Sequence, residues 1–316
     1  MSYFKDPFSK NLRNQFNLNW LGQHIFRKTN NPNLKPAILD QLKRSGYKRE
    51  FIDIDRVENI STSDFFKNYF LAHRPLVFSG AAKGWPSMNW SLDYFEREYG
   101  DKDTVNTNVG ALDVLSLAQT IKDIRSGESE KARLCKVLTH HPELMEQNDL
   151  SIIKKYIPKL SYTTSYQFFI GTKGNFTPLH AGATNNFQAQ ISGEKIWHLI
   201  DPIFNPVINP QIDREPLFKS QMNTEEPDFD RYPEQAYMPI IRVHLKPGDI
   251  LYNPTFYWHQ VQYQSESIAI GLRSLNLYSM LKGSSTMATV LATATNPPAI
   301  YSFYNISKGI TRPFFR

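Results

Sequence analysis

Two histidines stand out by the residues around them. His180 lies in Ile170-Gly-Thr-Lys-Gly-Asn-Phe-Thr-Pro-Leu-His180-Ala-Gly182, which runs on through Asn186 to Lys195. His259 ends the stretch Lys246-Pro-Gly-Asp-Ile-Leu-Tyr-Asn-Pro254 with Tyr257-Trp258-His259. Each sits at a strand end beside a turn. They are 79 positions apart (259 minus 180), so only a barrel-like fold brings them together. An imidazole can ligate a metal or carry a proton. A lone strand histidine is usually structural, and that is the reading for His24, His73, His140, His141, His198 and His244. Asp249 is a nearby carboxylate, but in Pro-Gly-Asp it reads as a turn residue bonding its own backbone.

The elements that must position these residues change character near residue 160. Beyond it, 162–170, 187–191, 196–200, 240–245, 250–253 and 268–277 read as short strands separated by Gly, Pro, Asn and Asp. Six strands at this spacing predict a β-sandwich or jelly roll rather than a parallel sheet. The proline-rich stretch 202–239 reads as a long loop over the barrel. The first half is helix-rich, with helices expected over 36–45, 61–70, 93–99, 113–124 and 142–156 and short strands over 51–55 and 75–79. Residues 1–35 are polar and weakly periodic and read as an N-terminal extension. Residues 279–316 read as a partly helical C-terminal appendage.

Composition removes whole classes. Hydrophobic residues make up 41% and charged residues 21% of 316, enough to bury a core. The +6 net charge is spread along the chain with no basic block, so nucleic acid is not the expected partner. A mild positive field favours anionic ligands or an acidic partner. One cysteine, Cys135, excludes an internal disulfide and a cysteine-based zinc site. No run approaches the roughly 18 to 20 apolar residues of a membrane helix. With no apolar signal region at the start, a soluble cytoplasmic protein is expected.

Together the Thr-Pro-x-His, the lysine fifteen residues later, the Pro-Gly-Asp turn and the Trp-His form a specific signature. It resembles the cupin-like, JmjC-type oxygenases that use iron(II) and 2-oxoglutarate, nearest to the branch that hydroxylates an asparagine of hypoxia-inducible factor. The likeness spans about residues 50 to 278 and includes Gly84-Trp85-Pro86 and Pro227-Asp-Phe-Asp-Arg-Tyr-Pro233. It implies a mostly β protein of the α+β kind. The core would be a double-stranded β-helix with flanking helices, the domain 36–278 and the barrel 160–278. The resemblance makes His180 and His259 the metal ligands. Lys195 and Thr177 would hold the distal carboxylate of 2-oxoglutarate, with Asn186 beside it. A buried dianion needs such a cation and donors. The family's tyrosine donor is missing from Arg133-Leu-Cys-Lys-Val-Leu138, so Tyr162 or Tyr166 would substitute. Arg273 is a further candidate for a carboxylate or halide. The C-terminal segment would join a homodimer.

One departure carries the most weight. The family's third ligand is the carboxylate of His-x-Asp or His-x-Glu, and here that position is Gly182. Glycine cannot ligate, so one negative charge is lost and one coordination position opens. Chloride or bromide would restore both, the pattern of the radical halogenases of this chemistry. The favoured expectation is therefore an iron(II), 2-oxoglutarate and O2 dependent halogenase acting on an unactivated C–H of a small or carrier-bound substrate. A two-histidine hydroxylase and a non-catalytic cupin-like binding protein are the alternatives.

Overall fold

The computed structural model describes residues 3–26, 28, 31–106, 114–128, 131–135, 137–212 and 217–294. Its first strands are β1 (Phe51–Asp53), β2 (Arg56–Val57), β3 (Leu76–Phe78), β4 (Thr104–Asn106), β5 (Val114–Ser116) and β6 (Lys131–Cys135). The barrel strands follow as β7 (Tyr162–Gly171), β8 (Phe176–Gly182), β9 (Asn185–Ser192) and β10 (Lys195–Ile200). Two short strands, β11 (Gln211–Ile212) and β12 (Leu217–Lys219), precede β13 (Ile240–Leu245), β14 (Ile250–Asn253), β15 (Trp258–Tyr263) and β16 (Ser267–Leu275). One sheet runs β1-β13-β10-β15-β8-β12-β11 and the other β2-β3-β14-β9-β16-β7-β6. From β7 to β10, and again from β13 to β16, sequence neighbours alternate between the sheets, which is the jelly-roll winding of a cupin-type core.

The strands form because their apolar residues suit a face buried against the opposite sheet. Within the first sheet Trp197, Leu199, Val243, Leu245, Val261 and Tyr263 fill the interior, joined by Leu251 and Tyr257. The outer face of the second sheet packs the first-half helices through Phe65, Trp90, Phe95, Ile121 and Phe168. Those helices start where the sequence supplies caps. Ser61 and Ser91 accept from the backbone N–H of Asp64 and Tyr94, at 3.0 and 3.1 Å. Gly46, at φ +78°, ends the helix Leu34–Ser45 in the left-handed region.

Four expectations are corrected. Residues 1–35 are no detached extension: helix Lys10–Phe26 buries Leu12, Phe16 and Trp20 in a core cluster with Phe204 and Phe218. Its apolar residues recur every four positions, and its many asparagines hide that stripe. The helix expected over 113–124 begins as β5, with Ser116 capping Leu117–Ser126. The helix over 142–156 is two short pieces, Pro142–Glu146 and Ser151–Lys154. The stretch 202–239 is more than a loop, since β12 pairs antiparallel with β8. In the C-terminal appendage, helix Leu277–Ala294 packs Met287, Val290 and Leu291 into the same cluster as Trp20. No helix among the described residues is long and apolar enough to cross a membrane.

Candidate active site

His180 and His259 stand directly opposite each other in the β8–β15 register, with ring centroids 4.1 Å apart. Both lie on strands that the sequence shows only weakly, because β8 is broken by Pro178 and β15 opens with a bulge past His259. His180 Nδ1 is 2.8 Å from the Pro178 carbonyl and His259 Nδ1 is 3.0 Å from the Tyr257 carbonyl. A carbonyl only accepts, so these contacts favour the proton on Nδ1, the tautomer whose Nε2 lone pair can ligate a metal. Burial pushes His259 down to about 4, against the Tyr257 carbonyl, which raises it, and with help from the Arg273 charge. The His259 ring is therefore neutral at ordinary pH, the form a metal needs.

The turn before His259 is held by backbone strain. Phe256 is fully buried at φ +62°, unusual for a bulky residue, and its N–H donates to the Gly182 carbonyl at 2.8 Å. That bond ties the turn to β8 and fixes the distance between the two histidines. Trp197 reaches in from β10 and stacks on His259, centroids 5.4 Å apart and planes at 21°.

The second sheet supplies the opposing wall. Asn253 pairs with Asn186 and Asn186 with Arg273, so the three residues form a row across β14, β9 and β16. His180, Gly182, Thr184, Asn186, Leu217, Asn253, Pro254, Tyr257, His259 and Arg273 line one small cleft. Asn186 Oδ1 and Asn253 Oδ1 are buried in it with no hydrogen-bond partner among the described residues. Such atoms call for a polar ligand or water.

At Gly182 an added Cβ would meet only Leu217 Cδ2, at 3.6 Å, which is ordinary contact, and Gly182 is absent from the positive-φ positions. Neither backbone nor packing requires glycine there. At Gly271, by contrast, a Cβ would press on Phe169 at 3.0 Å and Asn186 Oδ1 at 3.3 Å.

The expected site residues divide. His180, Gly182, His259, Asn186 and Arg273 meet in the cleft; Lys195 and Thr177 are not among its lining residues. Lys195 is 1% exposed on β10, its Nζ 4.3 Å from the Tyr263 ring centre and 5.9 Å from that of Phe169. Thr177 is half-buried opposite Val261. Tyr162 is corrected as a cosubstrate donor, since it is 67% exposed at the start of β7, opposite Leu275. Tyr166 is corrected too: it sits opposite Leu272, out of phase with Arg273, and packs on the outer core cluster. Asp249 accepts from Gly80 N–H and Arg56, a structural turn residue. Asn253, Trp197 and Leu217 join the site without having been expected there. For Trp197 the period-two pattern Lys195, Trp197, Leu199 is the signal that points to it.

Comparison with known proteins fits this geometry. The profile of the cupin-like domain family matches residues 62–272. The chain belongs to the cupin-like domain family. This cupin-like chain is 23% identical over 232 residues to "Lysine-specific demethylase JMJ30" of Arabidopsis thaliana, covering 69% of the chain and 53% of that protein. It is 26% identical over 251 residues to "JmjC domain-containing protein D" of Dictyostelium discoideum, covering 69% and 55%. Against "tRNA wybutosine-synthesizing protein 5" of Mus musculus it is 23% identical over 253 residues, covering 70% and 76%. It spans about half the length of the first two.

The donor set of the cupin-like cleft fits a metal ion in part. Two imidazoles are in place, and the described residues hold no group of three or more His, Cys, Asp or Glu suited to a metal. Among the described residues no third side-chain ligand joins them, and the space beside Gly182 admits a ligand from solution. Arg273 gives the cleft a cationic wall, while the unpaired amide oxygens of Asn186 and Asn253 call for a hydrogen-bond donor such as water.

Proposed function

We propose that this chain is an iron(II)- and 2-oxoglutarate-dependent oxidoreductase whose metal rests on His180, His259 and a ligand from solution. The pairing of the two histidines at 4.1 Å, each with Nδ1 turned to a backbone carbonyl, carries this reading. Iron bound there would activate oxygen for attack on an unactivated C–H bond. The chain's residues hold the ring tautomers, keep His259 neutral and line the cleft with amides and a guanidinium. The demethylase names among the relatives make hydroxylation the reaction to test first. An anionic small molecule or carrier-bound group suits the positive cleft wall as substrate.

Gly182 favours a second reading, halogenation. The missing carboxylate leaves both a coordination position and a charge to be filled, and a halide supplies both. Anaerobic titration of the iron(II) protein with 2-oxoglutarate, with and without chloride, tests the two together through the metal-to-ligand charge-transfer band. A band that chloride shifts supports a halide at Gly182, and a band indifferent to chloride supports the hydroxylase. Absence of a band overturns both and leaves a non-catalytic binding protein.

A further inference from the structure

Helix Leu277–Ala294 is apolar on two sides. One side sends Met280, Met287, Val290 and Leu291 into the core. On the other, before the backbone leaves helical angles at Ser284, Leu277 and Leu281 stand one turn apart, 68% and 53% exposed, with Tyr278 beside them. A helix with apolar residues on both sides calls for cover on both. Two neighbouring segments extend this ridge. The Tyr278 ring stacks on Phe70, centroids 5.9 Å apart, and its hydroxyl donates to the carbonyl of Leu71, itself exposed. Asn276 Nδ2 donates to Ser161 Oγ at 3.1 Å, and Tyr162 stands opposite Leu275. Those contacts set the exposed Leu160 and Tyr162 against the start of the helix.

The ridge borders the histidine cleft. Arg273, a cleft residue, stands two positions before Leu275 on β16. Ser279 Oγ donates to Asn185 Oδ1 at 2.8 Å, between the cleft residues Thr184 and Asn186 in the chain. The charge around the ridge is of one sign. Segments 66–73, 150–170 and 267–294 contain Lys67, Lys154, Lys155, Lys159, Arg273 and Lys282 and no Asp or Glu. Residues 295–316 add Lys308, Arg312 and Arg316, again without a carboxylate side chain. Like charges brought together at an interface are costly. A second copy of this face, or segment 295–316, would bring only cations against it, whereas an acidic surface complements it.

We infer that the ridge of Leu277, Tyr278 and Leu281 is the docking surface for a protein partner that presents an apolar stripe within an acidic surface, seated beside the histidine cleft. The leucines supply the apolar contact, at the one-turn spacing that a partner helix reads. The lysines around them select the partner by charge. The inference goes beyond the oxidoreductase reading and needs no metal, so the two can fail separately.

The probe is a fluorescein-labelled synthetic amphipathic helix with a leucine stripe and a glutamate face, titrated with the full chain and followed by fluorescence anisotropy. A twin with lysines in place of the glutamates is the control. Wild type should bind the glutamate helix at least about tenfold more tightly than the twin. The double variant Leu277→Ser, Leu281→Ser should weaken that binding about tenfold or more, the loss expected for two leucine contacts. Lys282→Glu should weaken it about threefold and narrow the difference between the two helices. All three positions are exposed, and melting curves check that each variant folds. If Lys282→Glu melts early, Lys159→Glu carries the charge test in its place. Equal binding of the two helices, no binding of either, or binding that the double variant keeps would overturn the inference. So would a dimer in sedimentation that the double variant turns into a monomer, because a second copy would then be the occupant. Phosphatidylserine vesicles that bind wild type and not the double variant, with the glutamate helix unbound, would assign the ridge to a membrane instead.

Discussion

The two ends of the barrel's inner face, only a few residues apart on β10, offer opposite environments. At the histidine end the walls are polar, with His180, His259, Asn186, Asn253 and Arg273 converging and the amide oxygens of Asn186 and Asn253 unpaired among the described residues. At the lysine end Lys195 is 1% exposed, its ammonium facing the rings of Tyr263 and Phe169. Both ends carry residue types that a cosubstrate site would use. Trp197 follows Lys195 on the same face of β10 and stacks on His259. The lesson is that residues of one sequence signature can share a sheet face and still meet different neighbours.

The comparison can be broken most sharply at the histidines. His180→Ala or His259→Ala should abolish iron(II) binding, measured as metal stoichiometry after anaerobic loading; unchanged stoichiometry would place the metal elsewhere. The stacking tryptophan comes next. Trp197→Ala should cost about 3–5 kcal/mol of unfolding free energy, the range for emptying a buried indole. A loss below about 1 kcal/mol in a denaturant titration would mean the interior is not packed around it.

A pH dependence sets the neutral buried histidines apart from exposed ones. His73 and His259 are held down to about 3 and about 4, from an ordinary value near 6.5, mainly by burial. The unfolded chain then binds more protons between those values. Stability from both groups is fully present above about pH 6.5. It falls on acidification toward about pH 4 by about 1.4 kcal/mol per pH unit per group. Melting of metal-free protein against pH should show this slope, and a flat profile from pH 7 to 5 would contradict it.

The smallest change in stability is expected at Gly182. Gly182→Asp should alter unfolding free energy by less than about 1 kcal/mol, because its Cβ meets only Leu217 at 3.6 Å. It should raise iron(II) affinity about tenfold or more by completing a two-histidine, one-carboxylate set. It should also remove any chloride effect on the charge-transfer band. Unchanged metal affinity by calorimetry would mean that position 182 does not face the metal.

Much of this was legible in the sequence. The alternation of apolar residues and the Gly, Pro and Asn breaks announce the jelly roll, and His180, His259 and Gly182 stand out by their neighbours. Asn186 and Arg273 are also legible there, and both reach the cleft. The strand β8 is less legible, because Pro178 and the polar residues around it mask a strand paired on both sides by β15 and β12. The helix Lys10–Phe26 is hidden for the same reason: a few apolar anchors among asparagines give a weak period.

Sequence alone determined which groups exist: two imidazoles, no carboxylate at 182, one lysine fifteen residues on. Those are covalent facts, and no folding can add a carboxylate where the chain has glycine. Tertiary structure decided which of them meet. Residues 79 positions apart pair across β8 and β15, while Lys195, much nearer to His180 in the chain, is buried beside Tyr263 and is not among the residues lining the histidine cleft. The reason is that strand register and side-chain volume, set by contacts between distant segments, govern which side chains share a cavity, and linear spacing carries neither.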